Sequence, residues 1–338
     1  MRMWNGVKHC LATLSARRSM AGLGAALAIT ALATPAPAAE TLKVLVGFPA
    51  GSGLDVITRI IAERVQTDTG RAVIVDNRGG SGGRIAAEAL ARTEPNGNTI
   101  LAAPIVTTAF SPFVFKRLGF DPLKDLAPIT RLGTFKFALA VNKDVPVETV
   151  EQFIAYTRAN PGKVNYGSLS AGTPSHFLGA MFSRATGADM RHVAYRGSGP
   201  ATIALLGGEV QAVFNTTAAM LPLYQDKQVK LLAVTGSERA SALPQVPTFG
   251  ELKLGLGDIE SAELWYGFFA PGGTPDAVIR EHGAVLAKAL SDADVRARLK
   301  ELDIDVVIDT PEEFAKIIRA DYDRWGRIIR ESGFTLSE

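Results

Sequence analysis

The chain is expected to fold as an α/β protein of two lobes facing a central cleft. Three observations support this: strand-like and helix-like segments alternate almost throughout, both halves share the same local grammar, and the β-rich run at residues 126–141 is followed by a break at Asn142-Lys143-Asp144-Val145-Pro146. Alternation with short connections argues for parallel βαβ units in open sheets. In each half a strand ends in Gly and Ser residues and a helix begins. Ligands of open α/β sheets sit at that place, beyond the carboxyl ends of the strands.

In chain order, Leu42–Val46 is strand-like and runs into Gly47-Phe48-Pro49-Ala50-Gly51-Ser52-Gly53-Leu54-Asp55. A helix is expected over 56–67, with Ile57, Ile60, Ile61 and Val65 on one side. A strand at 73–75 leads into Asn77-Arg78-Gly79-Gly80-Ser81-Gly82-Gly83, then a helix at 85–93, a Pro95-Asn96-Gly97 turn and a strand at 99–103. The second series has a helix at 149–160 stopped by Pro161-Gly162, a strand at 164–166, the loop 167–176 and a helix at 177–186. A strand at 192–195 meets Arg196-Gly197-Ser198-Gly199-Pro200, and strands follow at 210–214 and 229–235. The segments 291–302 and 311–329 are amphipathic helices, the second opened by Thr310-Pro311-Glu312-Glu313.

Residues 1–39 have the pattern of a secretory signal. Arg2, Lys8, Arg17 and Arg18 precede an uncharged run at 20–33 that is short for a membrane span, and Ala36-Pro37-Ala38 is an A-x-A cleavage site. An uncleaved N-terminal anchor is the alternative. Arg17-Arg18 is a partial twin-arginine pattern, so both the Sec and twin-arginine routes stay open. Removing the segment takes basic residues from 36 to 32 against 34 acidic ones, which argues against a nucleic-acid partner. It also removes the chain's single cysteine, Cys10, and with it disulfides, thiolate metal sites and cysteine nucleophiles. The expected product is a soluble periplasmic protein.

Glycine-rich loops between a strand and a helix leave backbone N–H groups free, and the helix start adds a partial positive charge, so both loop pairs suit a small anion. Gly79-Gly80-Ser81-Gly82-Gly83 also matches the nucleophile elbow G-x-S-x-G, which makes an exported serine hydrolase using Ser81 the enzymatic alternative. Against it, Asp76-Asn77-Arg78 separates the strand from the motif, and His176, His192 and His282 do not follow the hydrolase order. No dinucleotide fingerprint, P-loop or metal-ligand spacing is present, so no cofactor or metal is expected. Asp55 either caps the first helix or accepts an ammonium group, and His176 either contacts ligand or bonds a loop carbonyl. Ser168, Ser170, Thr173 and Ser175 supply more hydroxyls than one helix start needs, and Arg78 and Arg196 can pair with a carboxylate.

Several motifs in this order resemble one family. They are Phe48-Pro49-x-Gly51-x-x-x-Asp55, Val75-x-Asn77-Arg78, Asn160-Pro161-Gly162-Lys163-Val164-Asn165-Tyr166-Gly167-Ser168, Ser175-His176, His192-Val193-x-Tyr195-x-Gly197, Leu206-Gly207-Gly208-Glu209-Val210, Val246-Pro247-Thr248 and Ala270-Pro271-x-Gly273-Thr274-Pro275. The chain resembles the Bug, or TctC-like, extracytoplasmic receptors of tripartite tricarboxylate transporters. The resemblance implies a type II periplasmic-binding-protein-like fold of two α/β lobes hinged around a cleft. It divides the chain into 1–39 signal, 40–140 first lobe, 141–261 second lobe, and 262–338 returning to the first. It implies no enzyme activity, but capture of a di- or tricarboxylate, aromatic acid or acidic amino acid by a monomer. The partners implied are the large and small membrane subunits of the transporter; a receptor feeding a sensor is the other form. The ligand-binding set expected on loops and resemblance together is Phe48, Ala50, Gly51, Ser52, Gly53, Asp55, Ser81, Thr107, Ser168, Gly172, Thr173, Ser175, His176, Arg196 and Asn215. Ala50, Ser52, Gly79, Ser170 and Asn215 depart from the usual pattern, and Asn215 stands where an aspartate is common.

Overall fold

The computed structural model describes residues 41–336; the signal and cleavage-site reading lies outside them. The strands form two five-stranded sheets. The first contains β1 (Leu42–Val46), β2 (Val73–Asn77), β3 (Thr99–Pro104), β4 (Leu126–Phe135) and β10 (Leu264–Pro271), in the order β2-β1-β3-β10-β4. The second contains β5 (Phe137–Asn142), β6 (Val164–Ser168), β7 (Met190–Ala194), β8 (Ala212–Thr216) and β9 (Val229–Val234), in the order β7-β6-β8-β5-β9.

The helices are α1 (Gly53–Thr69), α2 (Arg84–Ala91), α3 (Ser111–Val114), α4 (Val150–Ala159), α5 (Pro174–Thr186), α6 (Ser198–Leu206), α7 (Thr217–Gln225), α8 (Phe249–Leu252), α9 (Asp276–Ser291), α10 (Ala293–Glu301) and α11 (Pro311–Ser332). Among the described residues, no helix is long and apolar enough to cross a membrane.

The sheets are mixed rather than wholly parallel. β1 pairs with β2 and β3 in parallel, and β6 pairs with β7 and β8 in parallel. β10 is antiparallel to β3 and β4, and β5 is antiparallel to β8 and β9. The reason is the crossing between lobes. β4 ends at the seam and the chain passes through Lys136 straight into β5, so β5 starts where its neighbours finish. β10 does the same on the return. The crossover lies at Lys136, before the boundary expected at 140/141, and β5 belongs wholly to the second sheet.

Two helix starts also move. Ser52 is the N-cap of α1, accepting from the Asp55 N–H, so Gly53 belongs to the helix rather than the loop. α5 begins at Pro174, a residue whose missing N–H suits a first helical turn. The strand expected at 210–214 is instead β8, because Val210 packs into the turn that closes α6, its N–H reaching the Ala204 carbonyl. The N-terminal signal of α11 holds: Thr310 and Glu313 form a reciprocal capping box. α11 buries Phe314, Ile318, Trp325 and Ile329, and its Asp321 accepts from Trp265 Nε1 at 2.8 Å, fastening the helix to β10.

Candidate functional site

On the first lobe, Gly47 lets the two glycine-rich loops touch, since a Cβ there would lie 2.5 Å from the Gly83 Cα. Asp55 builds the loop ahead of α1. Its Oδ2 accepts from the Gly51 N–H at 2.8 Å, its Oδ1 from Asn77 Nδ2 at 2.8 Å, and Arg59 Nε lies 3.0 Å away. Asn77 Nδ2 also reaches the Phe48 carbonyl. Burial alone would raise the Asp55 carboxyl, but Arg59, the Gly51 N–H and Asn77 hold it below its ordinary value. Asp55 therefore has structural partners rather than a ligand, and Gly51 has no free N–H. Ala50 is exposed and outside the cleft.

Ser81 also lies outside the cleft. It borders a separate depression with Arg84, Glu88, Phe115 and Arg117, where no histidine lines the wall. Thr107 is 1% exposed, with its Oγ1 unpartnered among the described residues, in the wide helical turn Val106–Phe110. It sits behind Val106 rather than on the wall.

On the second lobe, the loop 167–176 is held by neutral groups. Ser168 is fully buried, donates to the Ser170 carbonyl and lies 2.7 Å from His192 Nε2. His192 stacks on His176 at 3.9 Å, and His176 Nδ1 accepts from the Gly172 N–H. Burial pushes His176 down to about 4; burial and the neighbouring His176 do the same to His192. With the Ser168 hydroxyl donating to the Ser170 carbonyl, the tautomer of His192 that carries its proton on Nε2 completes the contact as donor. Ser175 Oγ accepts from the Leu169 N–H. Ser168, Gly172, Ser175 and His176 thus hold the loop's shape and do not line the cleft. Asn215 is also turned inward. Its Nδ2 donates to Ser198 and Thr202, and its Oδ1 accepts from the Thr216 N–H.

Between the lobes lies a cleft of about 740 Å³, within the range of small-ligand sites. Of the expected set, Phe48, Ser52, Gly53, Thr173 and Arg196 line it. Four helices begin at its wall: α1 at Ser52 and Gly53, α5 at Thr173 and Pro174, α6 at Gly197, and α7 at Thr216 and Thr217. Their N-terminal dipole ends give the cleft a positive field, and Arg196 adds a charge with no ion-pair partner among the described residues.

The remaining lining is mainly apolar, with Leu54, Ile57, Val106, Phe137, Leu169 and Tyr195 and with Phe135 and Tyr266 stacked at 4.3 Å, while Ser170 adds a hydroxyl. The floor holds Lys136, paired with Asp305, and Asp303, which accepts from the Thr217 hydroxyl. The sequence reading missed this floor. A single lysine in the apolar run 135–141 was a signal for Lys136; Asp303 gave none, because the connection between α10 and α11 brings it there from a distant part of the chain.

The sequence pattern of the tripartite tricarboxylate transporter family receptors matches residues 57–334. The chain belongs to this family. Among its relatives, BugT of Bordetella pertussis is 31% identical, covering 94% of this chain and 98% of that protein. A solved structure of Rhodopseudomonas palustris Rpa4515 with adipate is 27% identical, covers 88% of this chain and 98% of its own, and has a TM-score of 0.77. The malate-bound MatC of the same organism is 27% identical with a TM-score of 0.72, covering 86% and 98%. The two-lobed α/β architecture of this receptor is the one these solute-binding structures share.

Proposed function

We propose that this receptor is a periplasmic binding protein that captures a small organic carboxylate in the interlobe cleft and delivers it to the membrane subunits of a tripartite transporter. The observation that carries the reading is the convergence of the starts of α1, α5 and α6 on one cleft beside Arg196. Backbone N–H groups and helix dipoles favour an anion without a fixed salt bridge. A ligand touching both lobes stabilises the closed form by its differential affinity for it. Both jaws come from one polypeptide, so a monomer suffices, and residues 1–39 serve as its cleaved export signal. The ligands of Rpa4515 and MatC, both carboxylates, support the chemical class.

The test is a thermal-shift screen of mono-, di- and tricarboxylates, hydroxy acids and amino acids on mature protein refolded free of carried-over ligand. A true ligand at a hundred times its Kd should add about 2.7 kcal/mol. Its affinity should be unchanged in Ser81→Ala, which alters a residue outside the cleft. A flat response to every acid would sink the reading, and esterase activity abolished by Ser81→Ala would replace it.

A further inference from the structure

The cleft is not uniformly suited to anions. Its lining includes the starts of α1, α5 and α6 and the free guanidinium of Arg196, but also the carboxylate Asp303. Lys136 lies in the same lining, with its ammonium paired to Asp305. Lys136 also acts on Asp303, so one cation stands against two carboxylates and a net negative charge remains there.

Asp303 also occupies the fourth helix start. Thr217 is the first residue of α7, and its hydroxyl donates to Asp303 Oδ2. The anion-binding capacity of that terminus is thus filled from within the protein. The second oxygen, Oδ1, has no hydrogen-bond partner among the described residues. Asp303 adopts φ 56, a left-handed conformation that aspartate tolerates better than most side chains. Leu302, Ile304, Phe135 and Tyr266 line the cleft with it, and Lys136 is the cation that acts on it. Burial raises its carboxyl above the ordinary value, while Thr217 and Lys136 favour the ionised form.

Building on the carboxylate reading above, we propose that Asp303 is a specificity-determining residue that rejects a second carboxylate. The preferred ligand then has one carboxylate, held under the starts of α1, α5 and α6, and an apolar body whose far end is uncharged or donates a hydrogen bond. Selectivity of this kind comes from a repulsive element set against the competing ligand. A dicarboxylate long enough to reach Asp303 would place its second charge against a like charge.

The experiment is isothermal titration of the mature protein with two matched pairs at neutral pH: hexanoate against adipate, and 4-methylbenzoate against terephthalate. The wild type should favour each monoacid over its diacid by about tenfold or more. Asp303→Asn should raise the diacid-to-monoacid affinity ratio by about tenfold. Asp303→Gly, free to adopt the same backbone conformation, should move the ratio the same way if the asparagine variant folds poorly. A wild type that binds the diacids at least as tightly, or a ratio unmoved in both variants, would overturn the proposal while leaving the carboxylate reading intact. Absence of binding by both pairs and by every acid of the wider screen would remove that reading and this proposal with it.

Discussion

The two loops that face each other across the cleft solve one problem with opposite chemistry. Each must hold a helix start in place while leaving part of its surface free for a ligand. The first-lobe loop is fastened by a charge, the Asp55 carboxylate bound to the Gly51 N–H, Asn77 and Arg59. The second-lobe loop is fastened by neutral groups: Ser168, two stacked histidines and Ser175. In both, the side chains that look most functional in the sequence are spent on the loop's own geometry, and what faces the ligand is backbone, caps and apolar wall. Preorganising the cleft walls in this way lowers the ordering cost of binding.

The sharpest break in the comparison is Asp55→Ala. It leaves the Gly51 N–H and the Asn77 amide without their acceptor beside a carboxylate site that is 2% exposed. We expect a loss of about 3 kcal/mol in urea unfolding, and less for Asp55→Asn, which retains an acceptor. A cost no larger than that of an exposed substitution would show that the network contributes nothing.

Acid separates the two fasteners. His176 and His192 stay neutral in the fold down to about 4, whereas an unfolded imidazole takes a proton near 6.5. The unfolded state therefore binds more protons in that interval. Stability is complete above 6.5 and declines as pH falls toward 4, by roughly 2 kcal/mol or more for the pair. Asp55 acts lower: its folded value lies below 3.8, so its contribution is present above 3.8 and is lost as pH falls through the folded value. Melting temperature followed from pH 7 to 4.5 checks this. His176→Gln should flatten the decline, and an unchanged slope would remove the histidines from the account.

The smallest expected effect concerns ligand rather than stability. Arg196 is exposed and its worth is limited by solvent. Arg196→Gln should weaken carboxylate binding by about tenfold or less, with reduced salt dependence and no change in melting temperature of the free protein. Loss of all binding would mean that the guanidinium, rather than the helix starts, holds the anion.

The architecture could be read from the sequence because it rests on local rules. Alternating strands and helices with Gly and Ser at each switch specify open α/β sheets, and the Thr310–Glu313 box specifies the start of α11. Part of the cleft lining was legible for the same reason, through Ser52, Gly53, Thr173 and Arg196. The direction of each side chain within those loops was not. Whether Ser168 meets a ligand or His192 depends on a strand distant in sequence. The cleft floor is the strongest case. Lys136, Thr217 and Asp303 come together only because β4 runs across the seam into β5 and the C-terminal helices pack back on the first sheet. Capping and turn chemistry act within a few residues, so the order of amino acids was enough to mark which segments become helices with free N–H groups. Which charges share the cavity followed instead from long-range crossings, which bring together residues unrelated in sequence.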